Sequence, residues 1–215
     1  MRSKRDPHNP VRPKPGYSRR GFMRGVGVGG GVLGTGLLER DAQAGTAPGS
    51  VVGPGAVPIT LNINGKPVNL TVEPRVTLSN ALREHLGMTG SKRVCDRGTC
   101  GGCTVLMNGK TVYSCSVLAV DAQGKNIETI EGLAAPGQLH PISQAFWNHD
   151  GQQCGYCTSG FVMAVKGLLD EHPNPTMEDV KHELGGNLCR CGAYMGIRKA
   201  ALEAAKAVKQ GGKNG

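Results

Sequence analysis

The stretch Val94-Cys95-Asp96-Arg97-Gly98-Thr99-Cys100-Gly101-Gly102-Cys103-Thr104 decides how the rest of the chain is read. Three cysteines fall within nine residues, spaced Cys95-x4-Cys100-x2-Cys103, and Cys115 follows after eleven more. Residues 91–103 carry neither a helical nor a strand period, so this is a loop. Gly98, Gly101 and Gly102 have a physical use there. They permit positive φ and close approach, so that backbone N–H groups can point inward at sulfur. Such contacts stabilise and tune a negatively charged cluster. A C-x4-C-x2-C loop with a distant fourth cysteine is the plant-type [2Fe–2S] arrangement.

The flanking residues form strands. Residues 59–64 (ITLNIN) and 67–72 (PVNLTV) alternate apolar and polar about Gly65-Lys66, which predicts a hairpin. Residues 104–107 and 111–114 flank Asn108-Gly109, a strong hairpin signal. A last short strand is expected over residues 127–130. Thr77 can cap a helix over residues 78–86, with Leu78, Leu82 and Leu86 on one face. A small mixed sheet crossed by one helix follows, of the plant-ferredoxin-like β-grasp kind, over residues 59–134. After Pro141 the period becomes helical. Four helices are expected, over residues 142–149, 160–171, 177–184 and 197–209, making residues 135–210 a four-helix-bundle domain and the whole chain α+β. Residues 211–215 read as a disordered tail.

The helical half carries its own cysteine set, Cys154-x2-Cys157 and, 31 residues on, Cys189-x-Cys191. Each pair is expected beside a helix N-terminus, where unpaired N–H groups and the positive end of the helix dipole favour an anionic centre. This spacing alone is less specific than the first. Tetrahedral zinc is one competing reading, since zinc sites of four cysteines often contain a CxxC pair. A disulfide framework is another, because an exported chain with eight cysteines invites one. Against disulfides, Cys-x-Cys and CxxC pairs in glycine loops are poor long-range staples. The first loop, standing in the same chain, favours iron–sulfur clusters for both sets.

The N-terminal segment stands apart. Of the formal +9 charge, residues 1–24 supply eight Lys/Arg against one Asp, whereas from Gly45 onward 16 Lys/Arg face 13 Asp/Glu. A nucleic-acid-binding face needs its charge in the folded domain, and here most of it precedes the domain. Nucleic acid is therefore not an expected partner. Ser18-Arg19-Arg20-Gly21-Phe22-Met23-Arg24 leads into a glycine-rich, weakly apolar stretch at residues 25–38 and then Ala42-Gln43-Ala44. Residues 1–44 resemble a twin-arginine export signal, with Met23 where Leu is more usual. That route carries folded proteins and places the mature chain in the periplasm. The apolar stretch is too short for a transmembrane span. Residues 45–58 (GTAPGSVVGPGAVP) are a Gly/Pro linker. Aromatic content is only 4%, so the core must be aliphatic and modest, the kind of domain a metal or cluster often supports.

The first loop resembles the corresponding loop of the molybdenum hydroxylases, the xanthine dehydrogenase and aldehyde oxidoreductase family. Gln153-Cys154-Gly155-Tyr156-Cys157-Thr158-Ser159-Gly160 and Gly186-Asn187-Leu188-Cys189-Arg190-Cys191-Gly192 resemble the same family's second-cluster segments. Ile130-Glu131-Gly132-Leu133 is similar to its link between the halves. Val94 and Gly102 stand where Gly and Ala are expected. The resemblance covers residues 59–209. It implies the separate iron–sulfur subunit of a periplasmic aldehyde oxidoreductase, carrying two [2Fe–2S] clusters and not catalytic alone. Cys95, Cys100, Cys103 and Cys115 would hold one cluster, and Cys154, Cys157, Cys189 and Cys191 the other. A large partner subunit would carry molybdopterin, as the cytosine dinucleotide, and a further subunit FAD, with a c-type haem partner the less favoured substitute. Gln153 and Cys191 would meet the molybdenum cofactor. Electrons would pass from the molybdopterin centre through the helical-domain cluster to the β-grasp cluster, and then to the flavin. A stand-alone exported two-cluster ferredoxin is the alternative function. His140, His149, His172 and His182 share no ligand spacing and read as surface or cap residues; Tyr156 and Tyr194 read as packing.

Overall fold

The computed structural model describes residues 53–134 and 137–211. The export-signal segment, residues 45–52 of the linker and residues 212–215 of the tail lie outside the described residues. β1 (Val57–Ile63) and β2 (Lys66–Val72) form the first hairpin, with Val57 opposite Val72 and Ile63 opposite Lys66. Its turn is Asn64-Gly65, both at positive φ, one residue before the expected Gly65-Lys66. β3 (Thr104–Met107) and β4 (Lys110–Tyr113) turn in the same way on Asn108-Gly109. β5 (Asn126–Glu128) runs parallel to β1 and antiparallel to β3, which gives the order β2-β1-β5-β3-β4. This is the mixed β-grasp sheet that the strand pattern predicts.

α1 (Leu78–Asn80) starts at Thr77, whose hydroxyl accepts the Asn80 N–H at 3.2 Å. The expected α-helix over residues 78–86 does not continue regularly. It widens into a π-helical turn over Ala81–His85, where the Leu86 N–H reaches back to Ala81 at 3.2 Å. The leucine spacing still works, since Leu78 and Leu82 are fully buried against Leu61, Val105 and Ile127. Apolar residues at alternate β1 positions, Ile59, Leu61 and Ile63, line the same core.

The helical half has α2 (Pro141–Asn148), α3 (Thr158–Glu171), α4 (Met177–Glu183) and α5 (Tyr194–Gly211). α3 and α5 begin two and three residues before the hydrophobic period predicts. Their first turns carry small and polar residues, which show no apolar face. Phe146 and Phe161, two of the three phenylalanines, are fully buried in this half's own core, with Ile142, Val165, Ile197 and Ala201. His140 caps α2, its Nδ1 accepting the Ile142 N–H at 3.3 Å, which agrees with a capping role. The described residues of both halves lie within one compact unit. α3 packs on β3 and β4 through its small residues. A Cβ added to Gly167 would stand 2.5 Å from a Thr111 methyl, and one added to Gly160 2.3 Å from the Gly101 carbonyl oxygen. No helix among the described residues is long and apolar enough to cross a membrane.

Thr176 caps α4 in a full capping box, accepting the Asp179 N–H at 3.2 Å while Asp179 accepts the Thr176 N–H at 2.8 Å. That backbone hydrogen bond, then the Thr176 hydroxyl, holds the Asp179 carboxyl below its ordinary range. A depressed carboxylate stabilises the fold above its unfolded pKa and loses this contribution as pH falls through the folded pKa. Asp179→Asn should therefore lower stability at neutral pH, and the difference from wild type should shrink below the ordinary carboxylate range. Denaturant melts at pH 7 and at acid pH check this, and a pH-independent difference would contradict it.

Candidate metal centres

The first cysteine loop runs from the end of the π-helical turn to β3, and its backbone is shaped by residues at positive φ, Asp96, Gly98 and Gly101. The Gly98 N–H donates to Cys115 Sγ at 3.2 Å and the Thr99 N–H to Cys95 Sγ at 3.4 Å, the inward N–H···S contacts the glycine spacing leads one to expect. Cys115 sits in a short 3-10 turn, Ser114–Ser116, directly after β4. Ser114 is fully buried and donates its hydroxyl to the Cys103 carbonyl at 2.8 Å, which ties this turn to the loop. The Thr99 hydroxyl above all, with the Arg97 and Thr99 N–H groups, lowers the Cys95 thiol to about 6 against the effect of burial. Burial pushes Cys103 up to about 11. Gly102 and Val94 fit each other: a Cβ on residue 102 would come within 3.0 Å of a Val94 methyl, so the two departures from the expected loop go together.

The second set lies where α3 and α5 begin. Cys157 occupies the N-cap of α3, and Cys189 and Cys191 lie in the turn before Tyr194, the first residue of α5. The Tyr156 N–H lowers the Cys154 thiol, with Cys191 adding to it. Burial raises Cys189, but the N–H groups of Ala193, Cys191 and Gly192 and the Cys157 side chain together outweigh it, and the net shift is downward. Burial pushes Cys157 up to about 12. Cys154 and Cys191 are exposed, and so is Gln153 beside them, while Cys189 is buried.

Within each set the thiols meet in pairs. Cys95 contacts Cys100 and Cys103 contacts Cys115; Cys154 contacts Cys191 and Cys157 contacts Cys189. All eight are free thiols, so no disulfide framework forms. Among the described residues no three Cys, His, Asp or Glu side chains gather into a single-ion site.

Three residues carry more than the sequence indicates. Tyr194 packs edge-on against Phe161 and lies under Arg198, yet its hydroxyl oxygen also accepts the Cys189 N–H at 2.9 Å. Tyr156 is not a packing residue, since it is 52% exposed beside Cys154 and Cys157. Asn187 is 5% exposed and joins the two cysteine segments, donating to the Gly101 carbonyl at 3.0 Å and to Thr104 Oγ1 at 3.3 Å. A polar residue two positions before a cysteine was the available signal for it.

The profile described as "2Fe-2S iron-sulfur cluster binding domain" matches residues 61–133, and that described as "[2Fe-2S] binding domain" matches residues 129–202. The chain is 43% identical over 188 residues to the iron–sulfur-binding subunit of aldehyde oxidoreductase from Escherichia coli O157:H7, covering 80% of this chain and 82% of that one. It is 43% identical over 159 residues to the nicotine 6-hydroxylase small subunit of Paenarthrobacter nicotinovorans, covering 74% and 94%. The crystal structure of quinoline 2-oxidoreductase from Pseudomonas putida 86 superposes with a TM-score of 0.70 at 41% identity, over 74% of this chain and 99% of that one. The chain belongs to the family of iron–sulfur subunits of the molybdenum hydroxylases, with two [2Fe–2S]-binding domains.

Proposed function

We propose that this chain is the electron-transfer subunit of an exported molybdenum aldehyde oxidoreductase. In this reading Cys95, Cys100, Cys103 and Cys115 hold one [2Fe–2S] cluster in the β-grasp domain, residues 59–134. Cys154, Cys157, Cys189 and Cys191 hold the other in the helical domain, residues 135–210. Two matched [2Fe–2S]-binding profiles, over residues 61–133 and 129–202 with four cysteines in each, carry the assignment. Each iron of a two-iron cluster takes two thiolates, and the pairwise neighbours Cys95–Cys100, Cys103–Cys115, Cys154–Cys191 and Cys157–Cys189 suit that arrangement. When bound, the clusters supply one-electron storage at potentials set by their surroundings. The chain's own residues prepare the thiolates. Cys95 is lowered to about 6, Cys154 and Cys189 are shifted toward the ionised form, and Cys103 and Cys157, which burial raises, would give up their protons as the metal enters.

Exposure gives the assembly a direction. The exposed Cys154 and Cys191, with Gln153 beside them, form the face offered to the molybdopterin of a large subunit, held as the cytosine dinucleotide. Tyr156 and Met195 are exposed large side chains near Cys154 and Cys191 in the chain, and burying them against a partner would stabilise the contact. A carboxamide such as that of Gln153 can donate to and accept from a flat heterocycle at once. Cys191 adjoins it as a ligand. On the first cysteine loop Arg93, Val94, Asp96 and Arg97 are exposed and would face the FAD subunit, with a c-type haem protein the less favoured acceptor. The aldehyde is read from the E. coli relative, matched over most of both chains. Relatives named for aldehyde, nicotine and quinoline oxidation stand at nearly equal identity, so the partner and not this chain selects the substrate. Purified from its source, the chain should bring with it a molybdenum-containing large subunit and flavin; recovery as a free iron–sulfur protein would favour the stand-alone ferredoxin.

The location belongs to the same proposal. Arg19 and Arg20 would present paired guanidinium groups to the export receptor, and lysine keeps their charge without that geometry. Replacing both by lysine should leave precursor in the cytoplasm with its clusters intact. Normal arrival of mature protein in the periplasm would contradict the export reading.

A further inference from the structure

We propose that Asn187 is the positioning residue of a bonded electron bridge between the two cysteine sets, made by one hydrogen bond from the Leu188 N–H to the Cys100 carbonyl. The proposal rests on the ligand assignment above. Leu188 immediately precedes Cys189, and Cys100 is itself a member of the first set. The Leu188 N–H donates to the Cys100 carbonyl at 2.9 Å. From Cys100 Sγ to Cys189 Sγ the path therefore follows covalent bonds throughout, except for this one hydrogen bond. Electron tunnelling decays less steeply through bonds and hydrogen bonds than across open space. With both clusters in place, the bridge would let one electron pass from the reduced helical-side centre to the oxidised sheet-side centre, with no bond formed or broken.

The Leu188 side chain cannot hold this contact, because it is 54% exposed. The holding is done one residue earlier. Asn187 is buried, and its Nδ2 donates to the Gly101 carbonyl and Thr104 Oγ1. Thr104 is buried as well and donates its hydroxyl to that same carbonyl at 2.7 Å. The loop is cut to receive the carboxamide: Gly101 has φ +68°, and a Cβ there would stand 2.5 Å from the Asn187 carboxamide. On the far side the Tyr113 hydroxyl donates to the Gly186 carbonyl at 2.9 Å. Residues 186–188 are thus stitched to the sheet side by consecutive hydrogen bonds, with the Asn187 side chain buried at the centre. The polarity of the second set suits this, since the buried Cys189 adjoins the bridge while Cys154 and Cys191 are exposed.

The test uses the complete chain with its clusters. Asn187→Ala should keep the iron content and the separate EPR signal of each reduced centre. It should weaken the spin–spin splitting between them and slow electron exchange between centres severalfold after partial reduction with dithionite. Exchange of the Leu188 amide with deuterium should accelerate roughly tenfold, as expected for loss of a buried hydrogen bond. Leu188→Ala keeps the N–H and should change neither splitting nor rate. Thr104→Val removes one Asn187 partner and should give an intermediate loss; it decides the matter if Asn187→Ala fails to assemble. A variant with an accelerated Leu188 amide but unaltered splitting and electron exchange would overturn the bridge. Absence of two [2Fe–2S] signals in the unsubstituted chain would overturn the ligand assignment instead.

Discussion

Replacing Cys189 by serine is expected to remove about half of the iron and sulfide from the chain, leaving one [2Fe–2S] signal of the sheet-side kind. Cys189 is the buried cysteine of the second set, next to Cys157, and its N–H is held by Tyr194. Serine offers a harder, less acidic oxygen in place of the thiolate that such clusters require. The first set should survive because the groups aimed at its sulfurs belong to its own segment: the Gly98 and Thr99 N–H groups on sulfur, with the Ser114 hydroxyl on the Cys103 carbonyl. Iron and sulfide analysis together with EPR of the reduced variant reads this directly. Loss of both signals in equal measure would show that the sets do not assemble independently.

Gly160→Ala is expected to be the most damaging small substitution at the contact between the halves. Its Cβ would stand 2.3 Å from the Gly101 carbonyl oxygen and 3.1 Å from the Gly102 Cα, both backbone atoms of the first cysteine loop. Gly101 is at positive φ and hydrogen-bonded to Asn187 and Thr104, so the loop cannot yield cheaply. Overpacking of this kind destabilises by about 1–3 kcal/mol. For a chain of this size that corresponds to a melting temperature lower by roughly 2–12 °C. Gly167→Ala is the comparison, since its Cβ would meet the Thr111 and Leu106 methyls, which can move. Its loss should be clearly smaller, although both glycines lie on the same helix facing the sheet. Equal losses at the two positions would mean that the contact with the cysteine loop is not the cause.

The sheet was legible because its signals are local. The Asn108-Gly109 turn, alternation in residues 59–64 and the Thr77 cap each act over a few residues, and each appears in the fold. The π-helical turn at Ala81–His85 was not legible, because leucines spaced by four face the core in either geometry. The early starts of α3 and α5 were hidden for a related reason. Their first turns are chosen to approach the cysteines and the loop, as Gly160 does, and not to fill a core. The cysteine spacing announced two metal-binding sets, but not how the sets touch. Asn187 and Tyr194 act through long-range contacts, to Gly101 and to the Cys189 backbone, that only the folded chain reveals. Small residues at 160, 164 and 167 did mark a close-packed helix face, a pattern that a search for large apolar residues passes over.

The most direct test of the central claim is the iron, acid-labile sulfide and zinc content of the purified chain, with EPR of the dithionite-reduced sample. Two paired thiolate sets predict about four irons and four sulfides per chain, negligible zinc, and two distinguishable [2Fe–2S] signals of equal spin. Stoichiometric zinc at the second set, or a single cluster signal accounting for all the iron, would contradict the account.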